Sequence, residues 1–309
     1  MVRRFVIECA LLALPIVVVL SIWLWFQRAF IPAPMVTNNI ALNAQLEAFR
    51  TRADEQVDVL AIGSSNALNN LSSEAVLEHF GPVTYRNTGA WGLDLHRLAD
   101  LAPVLVDRSR PKVVLLPCNL MDLDGSAHVL DMDSAEVAHA LDQEHGWVNY
   151  LTHWNAPWYL RQVRLQRIRL RDPGNYEYLG FDAHGAAPLE VPPDRIDPLR
   201  NAQRPPRQAE LDTASYGSLR ELARMLRGQG TDLFVLALPY REGVMDDGAE
   251  RTMQAHVERM REVVGPYGHR VLDATDRRWP DSLFADAGHL NKPGALQVSR
   301  YLLRQASDR

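Results

Sequence analysis

Cysteine is scarce: this chain of 309 residues carries two, Cys9 and Cys118. Cys9 lies in an apolar N-terminal run and Cys118 follows a predicted strand, on opposite sides of the first boundary, so no disulfide is expected between them. A chain of this length has room for a full core without staples, and its cysteines leave the compartment open. Strong charge is also missing. A net charge of -5, with no RNA- or DNA-binding motif, gives no reason to expect a nucleic-acid partner. No glycine-rich phosphate loop follows a predicted strand. His128, His139, His145 and His153 lack metal-ligand spacing, so no zinc site is expected. Asp122, Asp124, Asp131 and Asp133 lack the glycine and terminal glutamate of a calcium loop and read as a solvated, capping stretch. Neither a metal nor a cofactor is expected, and there is no internal repeat.

Against these absences stands one long apolar run. Phe5 to Phe26 is interrupted only by Glu8, Ser21 and the small Cys9. At ~1.5 Å per residue its length of roughly 33 Å spans a ~30 Å hydrocarbon core. Arg3 and Arg4 precede it and Arg28 alone follows closely, which favours the N-terminus inside and the remainder outside. Trp23, Trp25 and Phe26 end the run as an interfacial belt would, where a cleaved signal would be shorter and end in an Ala-x-Ala-like site. The expectation is an uncleaved single-pass anchor over residues 1–30, in an inner membrane with the rest extracytoplasmic (periplasmic).

Beyond a linker at Ile31-Pro32-Ala33-Pro34, strands and helices alternate. Strands are expected at Val57–Ile62, Val83–Arg86, Lys112–Leu116, Leu233–Leu238 and Arg270–Asp273. Helices are expected from Ser72 to His79, through Leu95, Leu98, Leu101 and Leu105, and from Leu219 to a stop at Gly228. Two more follow, through Met253, Val257, Met260 and Val264, and over Ala295–Leu303. Continuous apolar strands between amphipathic helices predict an α/β fold with a parallel sheet covered on both faces. Residues 31–309 thus form one domain, interrupted by an irregular insertion at about 123–215 that is expected to cap the strand ends.

The insertion holds Trp147, Tyr150, Trp154, Trp158, Tyr159, Tyr176, Tyr178 and Phe181, and then a Pro/Arg-rich run. Packing of an irregular region explains such aromatics better than stacking on sugar rings. Arg161, Arg164, Arg167, Arg169 and Arg171 alternate with apolar residues. Anionic lipid headgroups or an acidic polymer would suit that run, but a solvated helix face is the expectation.

Two segments far apart carry matching chemistry. Ile62-Gly63-Ser64-Ser65-Asn66 puts serines where a buried strand breaks into a turn. Asp286-Ala287-Gly288-His289-Leu290-Asn291 puts a carboxylate three residues before a histidine, close enough to orient it through Nδ1. Serine, oriented base and orienter are the parts of nucleophilic acyl transfer. The residues alone do not choose between Ser64 and Ser65, since either serves equally well as a helix cap.

The order of these elements resembles the SGNH (GDSL-like) hydrolase superfamily. Its first block matches Gly63-Ser64-Ser65, with Ser64 in place of the usual Asp and Ser65 at the nucleophile. The second resembles Asn87-Thr88-Gly89-Ala90-Trp91-Gly92, the third Pro117-Cys118-Asn119-Leu120, with Pro and Leu where the family has Gly and Asp. The last matches Asp286 and His289, followed by Asn291 and Pro293-Gly294. The resemblance covers about Val57 to Leu303 without the insertion. It implies a three-layer α/β/α, flavodoxin-like fold of about five parallel strands. It implies Ser65, His289 and Asp286 as the triad, with Ser65 N–H, Gly92 N–H and the Asn119 amide as oxyanion donors. As plain structure, Gly92 would serve a backbone turn and Asn119 an Asx-type loop closure.

The Gly-Ser-Ser variant and the anchor are similar to envelope proteins that acylate polysaccharides, such as alginate O-acetylation and D-alanyl-teichoic acid transfer proteins. These imply an esterase or O-acyltransferase with a polysaccharide substrate and a multi-spanning membrane O-acyltransferase as partner. A non-catalytic scaffold of the same fold is the alternative. A tethered lipase would need a long apolar groove that the insertion does not suggest.

Overall fold

The computed structural model describes residues 2–52, 55–124 and 130–307; His128 lies outside them. α1 (Val2–Gln27) is followed by α2 (Ile40–Arg50) and β1 (Val59–Ala61), then α3 (Ser65–Asn70), α4 (Ser73–Phe80) and β2 (Tyr85–Asn87). α5 (Leu95–Ser109) leads into β3 (Val113–Cys118). The insertion carries α6 (Ser134–Leu141), α7 (Gly146–Thr152), α8 (Ala156–Arg169) and α9 (Pro198–Asn201). α10 (Ser215–Gly228), β4 (Asp232–Ala237), α11 (Asp247–Val264), β5 (Arg270–Asp273) and α12 (Lys292–Ser307) complete the chain.

The five strands are all parallel, in the order β2-β1-β3-β4-β5. β1, β2 and most of β3 and β4 are buried, as a sheet clad on two sides demands, and the edge strand β5 is largely half-buried. Leu46 and Phe49 of α2, Leu101 and Leu105 of α5, Leu222 of α10 and Met260 of α11 fill one side. Val76 of α4 with Val298 and Leu302 of α12 fill the other. The result is the three-layer α/β/α fold that the alternating pattern predicts.

The topology fixes where a ligand can bind. The chain leaves β1 for β2 at the edge and returns past β1 to β3, so the carboxyl ends of β1 and β3 part to form a crevice. The segment after β1 holds Ser64 and Ser65; the one after β3 holds Asn119.

One helix was not read from the sequence. α2 forms between the linker and β1, where no element was assigned: Asn39 caps it by accepting from the N–H groups of Ala41 and Leu42, and the helix buries Asn43 and Gln45 among its apolar residues. α10 ends at Gly228, as expected, and the chain then turns left-handed at Gly230, with φ +74°. α1 is 26 residues long and exposes all but its last residue. It is the one helix, among the described residues, long and apolar enough to cross a membrane.

Candidate active site

Gly63, two residues beyond β1, adopts φ +144°, a backbone region that glycine alone adopts freely. A Cβ there would stand 3.2 Å from Ala67 Cβ and 3.3 Å from the Pro117 carbonyl oxygen. The turn hands the next two serines different tasks. Ser64 is the N-cap of α3: it is buried, and its Oγ accepts the Asn66 N–H at 3.1 Å. Ser65 is the first helical residue and faces the crevice, its Oγ 2.9 Å from His289 Nε2. Cap geometry thus separates two serines that the sequence left equivalent.

His289 is aligned from behind. Its Nδ1 lies 3.1 Å from each Asp286 carboxylate oxygen. Asp286 Oδ1 also accepts the N–H groups of Gly288 and His289 at 2.9 and 2.7 Å, so the carboxylate closes its own loop. Burial opposes ionisation of Asp286. The His289 charge and the hydrogen bonds from His289, Tyr176 and the Gly288 N–H outweigh it and hold the carboxyl well below the ordinary carboxylate range.

Tyr176, from the insertion, joins this group without having been anticipated as a site residue. Its hydroxyl makes a short hydrogen bond to Asp286 Oδ2 and lies 2.9 Å from His289 Nδ1. Burial and then the Asp286 charge push its phenol pKa up, so it acts as a neutral donor. The Arg200 guanidinium sits 4.1 Å above its ring. The sequence signal was no more than one of eight insertion aromatics.

α3 is the organiser beneath. Asn70 Oδ1 accepts the Leu290 N–H at 2.8 Å, binding the His289 loop to the helix that starts with Ser65. Its Nδ2 donates to Asn66 Oδ1 at 2.8 Å. Asn66 Nδ2 in turn donates to Asp122 Oδ2, also at 2.8 Å. Burial raises the Asp122 pKa, against bonds from Ser64, the Asn119 N–H, Asn66 and Cys118. Asn69 Nδ2 donates to the Ala187 carbonyl at 2.6 Å and so ties in the insertion.

The three expected oxyanion donors are placed differently. Ser65 and Gly92 both line the cleft. The N–H of Ser65, at the first turn of α3, has no intrahelical acceptor. Gly92 adopts φ +63°, a left-handed conformation that suits glycine. The preceding carbonyl, of Trp91, accepts a hydrogen bond from Asn39 Nδ2. Because a peptide's C=O and N–H point in opposite directions, Asn39 fixes the direction of the Gly92 N–H. Asn119 requires a correction. It is 1% exposed and lies under the cleft instead of on its wall. Its Oδ1 accepts the Met121 N–H and its Nδ2 donates to Asn66 Oδ1 at 3.1 Å. Its Oδ1 and one amide N–H are thus engaged within the fold, in the turn after β3 and against α3.

The cleft in front of Ser65 measures about 530 Å³. Asn38, Asn39, Asn69, Glu177 and Arg200 supply its polar lining, with the Trp91 indole beside them. A hydroxyl hydrogen-bonded to an imidazole that a carboxylate orients is the arrangement covalent acyl transfer calls for.

Comparison with known proteins gives only distant likenesses. No family model matches the chain, and no curated protein matches it. Solved structures do resemble it. A Streptococcus pneumonia protein named for platelet activating factor aligns over 94% of this chain and 97% of its own, at 12% identity and TM-score 0.47. LAE5, an alpha/beta hydrolase from the metagenome of Lake Arreo, Spain, aligns over 81% and 94% at 14% identity and TM-score 0.42. A catalytic mutant of Axe2, an acetylxylan esterase from Geobacillus stearothermophilus, aligns over 81% and 93% at 13% identity and TM-score 0.42. At such values the chemistry has to be read from the site's own geometry.

Proposed function

We propose that the chain is a membrane-anchored serine esterase or O-acyltransferase of the SGNH type, acting extracytoplasmically on acyl esters of an envelope polysaccharide. The observation that carries this reading is the unbroken line from Ser65 Oγ to His289 Nε2 at 2.9 Å and from His289 Nδ1 to Asp286 at 3.1 Å. Ser65 Oγ attacks the ester carbonyl as His289 Nε2 takes its proton. The oxyanion draws on the Ser65 and Gly92 N–H groups, each such donor being worth ~10²–10³ in rate. His289 then gives the proton to the leaving alcohol, and an acyl-Ser65 remains. Water or a sugar hydroxyl, deprotonated by the same imidazole, releases the acyl group and restores Ser65.

A saccharide acceptor is supported by the Asn38 amide and the Arg200 guanidinium around the Trp91 indole, a mix of hydrogen-bonding groups and a flat ring. Anchoring by α1 favours transfer, with a multi-spanning membrane O-acyltransferase as the source of acyl groups. The scaffold alternative has no need of a serine aligned with an oriented base.

Fluorophosphonate labelling of the full chain, read by intact mass and peptide mapping, tests this. One adduct on Ser65 is expected, absent from Ser65→Ala and His289→Ala and retained in Ser64→Ala. A folded protein that takes no adduct refutes the enzyme reading.

A further inference from the structure

Outside α1, the exposed large apolar side chains of the described residues are Trp147, Leu151, Trp154, Leu160, Ile168 and Leu199. All but Leu199 belong to α7, α8 or the turn between them. Each of those five is more than half exposed, from 51% at Ile168 to 66% at Leu151. Proteins surrounded by water rarely concentrate apolar surface in this way. The same two helices expose Arg161, Arg164 and Arg167, of which Arg161 and Arg164 have no ion-pair partner among the described residues.

Their position in the molecule supplies the reason. The Tyr150 hydroxyl donates to the Pro32 carbonyl at 2.9 Å, and the Met35 N–H donates to the Tyr159 hydroxyl at 3.0 Å. Arg167 donates to Gln27 Oε1 at 2.6 Å, and the Arg171 guanidinium lies 4.6 Å from the Phe30 ring. Gln27 is the last residue of α1. α8 is therefore pinned along the few residues that leave the long apolar helix, within one side chain's reach of its end.

We propose that α7 and α8 lie in the headgroup layer of the bilayer that α1 crosses. In this arrangement Trp147, Leu151, Trp154 and Leu160 enter the acyl boundary, and Arg161 and Arg164 meet anionic phospholipids. Tryptophan and leucine beside arginine is the composition that partitions to such an interface. The proposal rests on α1 being a membrane-crossing anchor. It adds a second point of attachment, which removes the swivel that a lone helix and linker would permit and fixes the direction in which the cleft opens.

The test uses the full chain in liposomes of phosphatidylcholine and phosphatidylglycerol, with an environment-sensitive fluorophore on single cysteines. Leu151→Cys and Leu160→Cys are made in a Cys9→Ser background, where buried Cys118 does not react. Unmodified Cys9 reports on α1, and Glu221→Cys, exposed on α10, reports on water. Shallow spin-labelled lipid is expected to quench both α7–α8 probes at least about twofold while sparing Glu221→Cys. Adding Arg161→Glu and Arg164→Glu is expected to cut that quenching by roughly half. Water-like behaviour at positions 151 and 160 with Cys9 quenched overturns the proposal and leaves the anchor standing. Protection of the two positions in native membranes but not in pure lipid also overturns it, in favour of a protein partner. An unquenched Cys9 refutes the anchor itself and the proposal with it.

Discussion

Replacing Tyr176 with Phe removes one oxygen from behind the proposed triad and little else. The ring, its packing and its contact with the Arg200 guanidinium are kept. Asp286 Oδ1 retains the Gly288 and His289 N–H groups, whereas Oδ2 is left with His289 Nδ1 alone. His289 Nδ1 also loses its nearest oxygen, the Tyr176 hydroxyl at 2.9 Å, and must choose between two carboxylate oxygens at 3.1 Å. A hydrogen bond to a charged group is worth about 1.5–3 kcal/mol, and each 1.36 kcal/mol of lost transition-state stabilisation is tenfold in rate. The second-order rate constant for fluorophosphonate labelling of Ser65 is therefore expected to fall about 10- to 100-fold. Labelling rate is the right assay because it reads activation of the hydroxyl without requiring the natural acceptor. Thermal unfolding should move by no more than ~4 °C. A Tyr176→Phe variant that labels within twofold of the parent refutes this reasoning and reduces Tyr176 to a packing residue.

Three further outcomes are expected. Asn70→Ala strands the buried Leu290 N–H and should cost ~1–3 kcal/mol in denaturant unfolding, with slower Ser65 labelling because the His289 loop loses its tie to α3. Asn39→Asp keeps an acceptor to cap α2 but deletes the donor to the Trp91 carbonyl; stability should hold within ~1 kcal/mol while labelling falls about tenfold. His256 is buried against Tyr216, and burial pulls its pKa from 6.5 down to about 4. The unfolded chain thus binds more protons between those values, and stability present above pH 6.5 is lost as pH falls toward 4, by up to about 3 kcal/mol. Urea titrations at pH 7 and pH 4.5 should show the loss, and His256→Gln should diminish it.

The sequence disclosed the sheet most fully. β5 spans the expected Arg270–Asp273, and β3 and β4 lie within two residues of their predicted limits, because uninterrupted apolar runs between amphipathic helices have few other solutions. α2 was hidden because Asn43 and Gln45 occupy buried positions in it and blur its apolar period. The Asp286–His289 pair is local, and a three-residue spacing reveals it. The choice of Ser65 over Ser64 depends on which hydroxyl turns back onto the Asn66 N–H, and that is decided by the left-handed turn at Gly63. Tyr176 comes from a segment without periodicity and acts through a contact across 110 residues. Asn119 shows the converse: its place after β3 was readable, whereas the partners that occupy its amide were not.

Ser65 and His289 are 224 residues apart along the chain. The tie between Asn70 and Leu290 spans 220. Ser65 is therefore synthesised well before His289, the side chain that meets it. In the proposed enzyme the Ser65 hydroxyl gains its base only when the His289 loop docks on α3, so activation of the serine depends on long-range folding and not on the local turn alone.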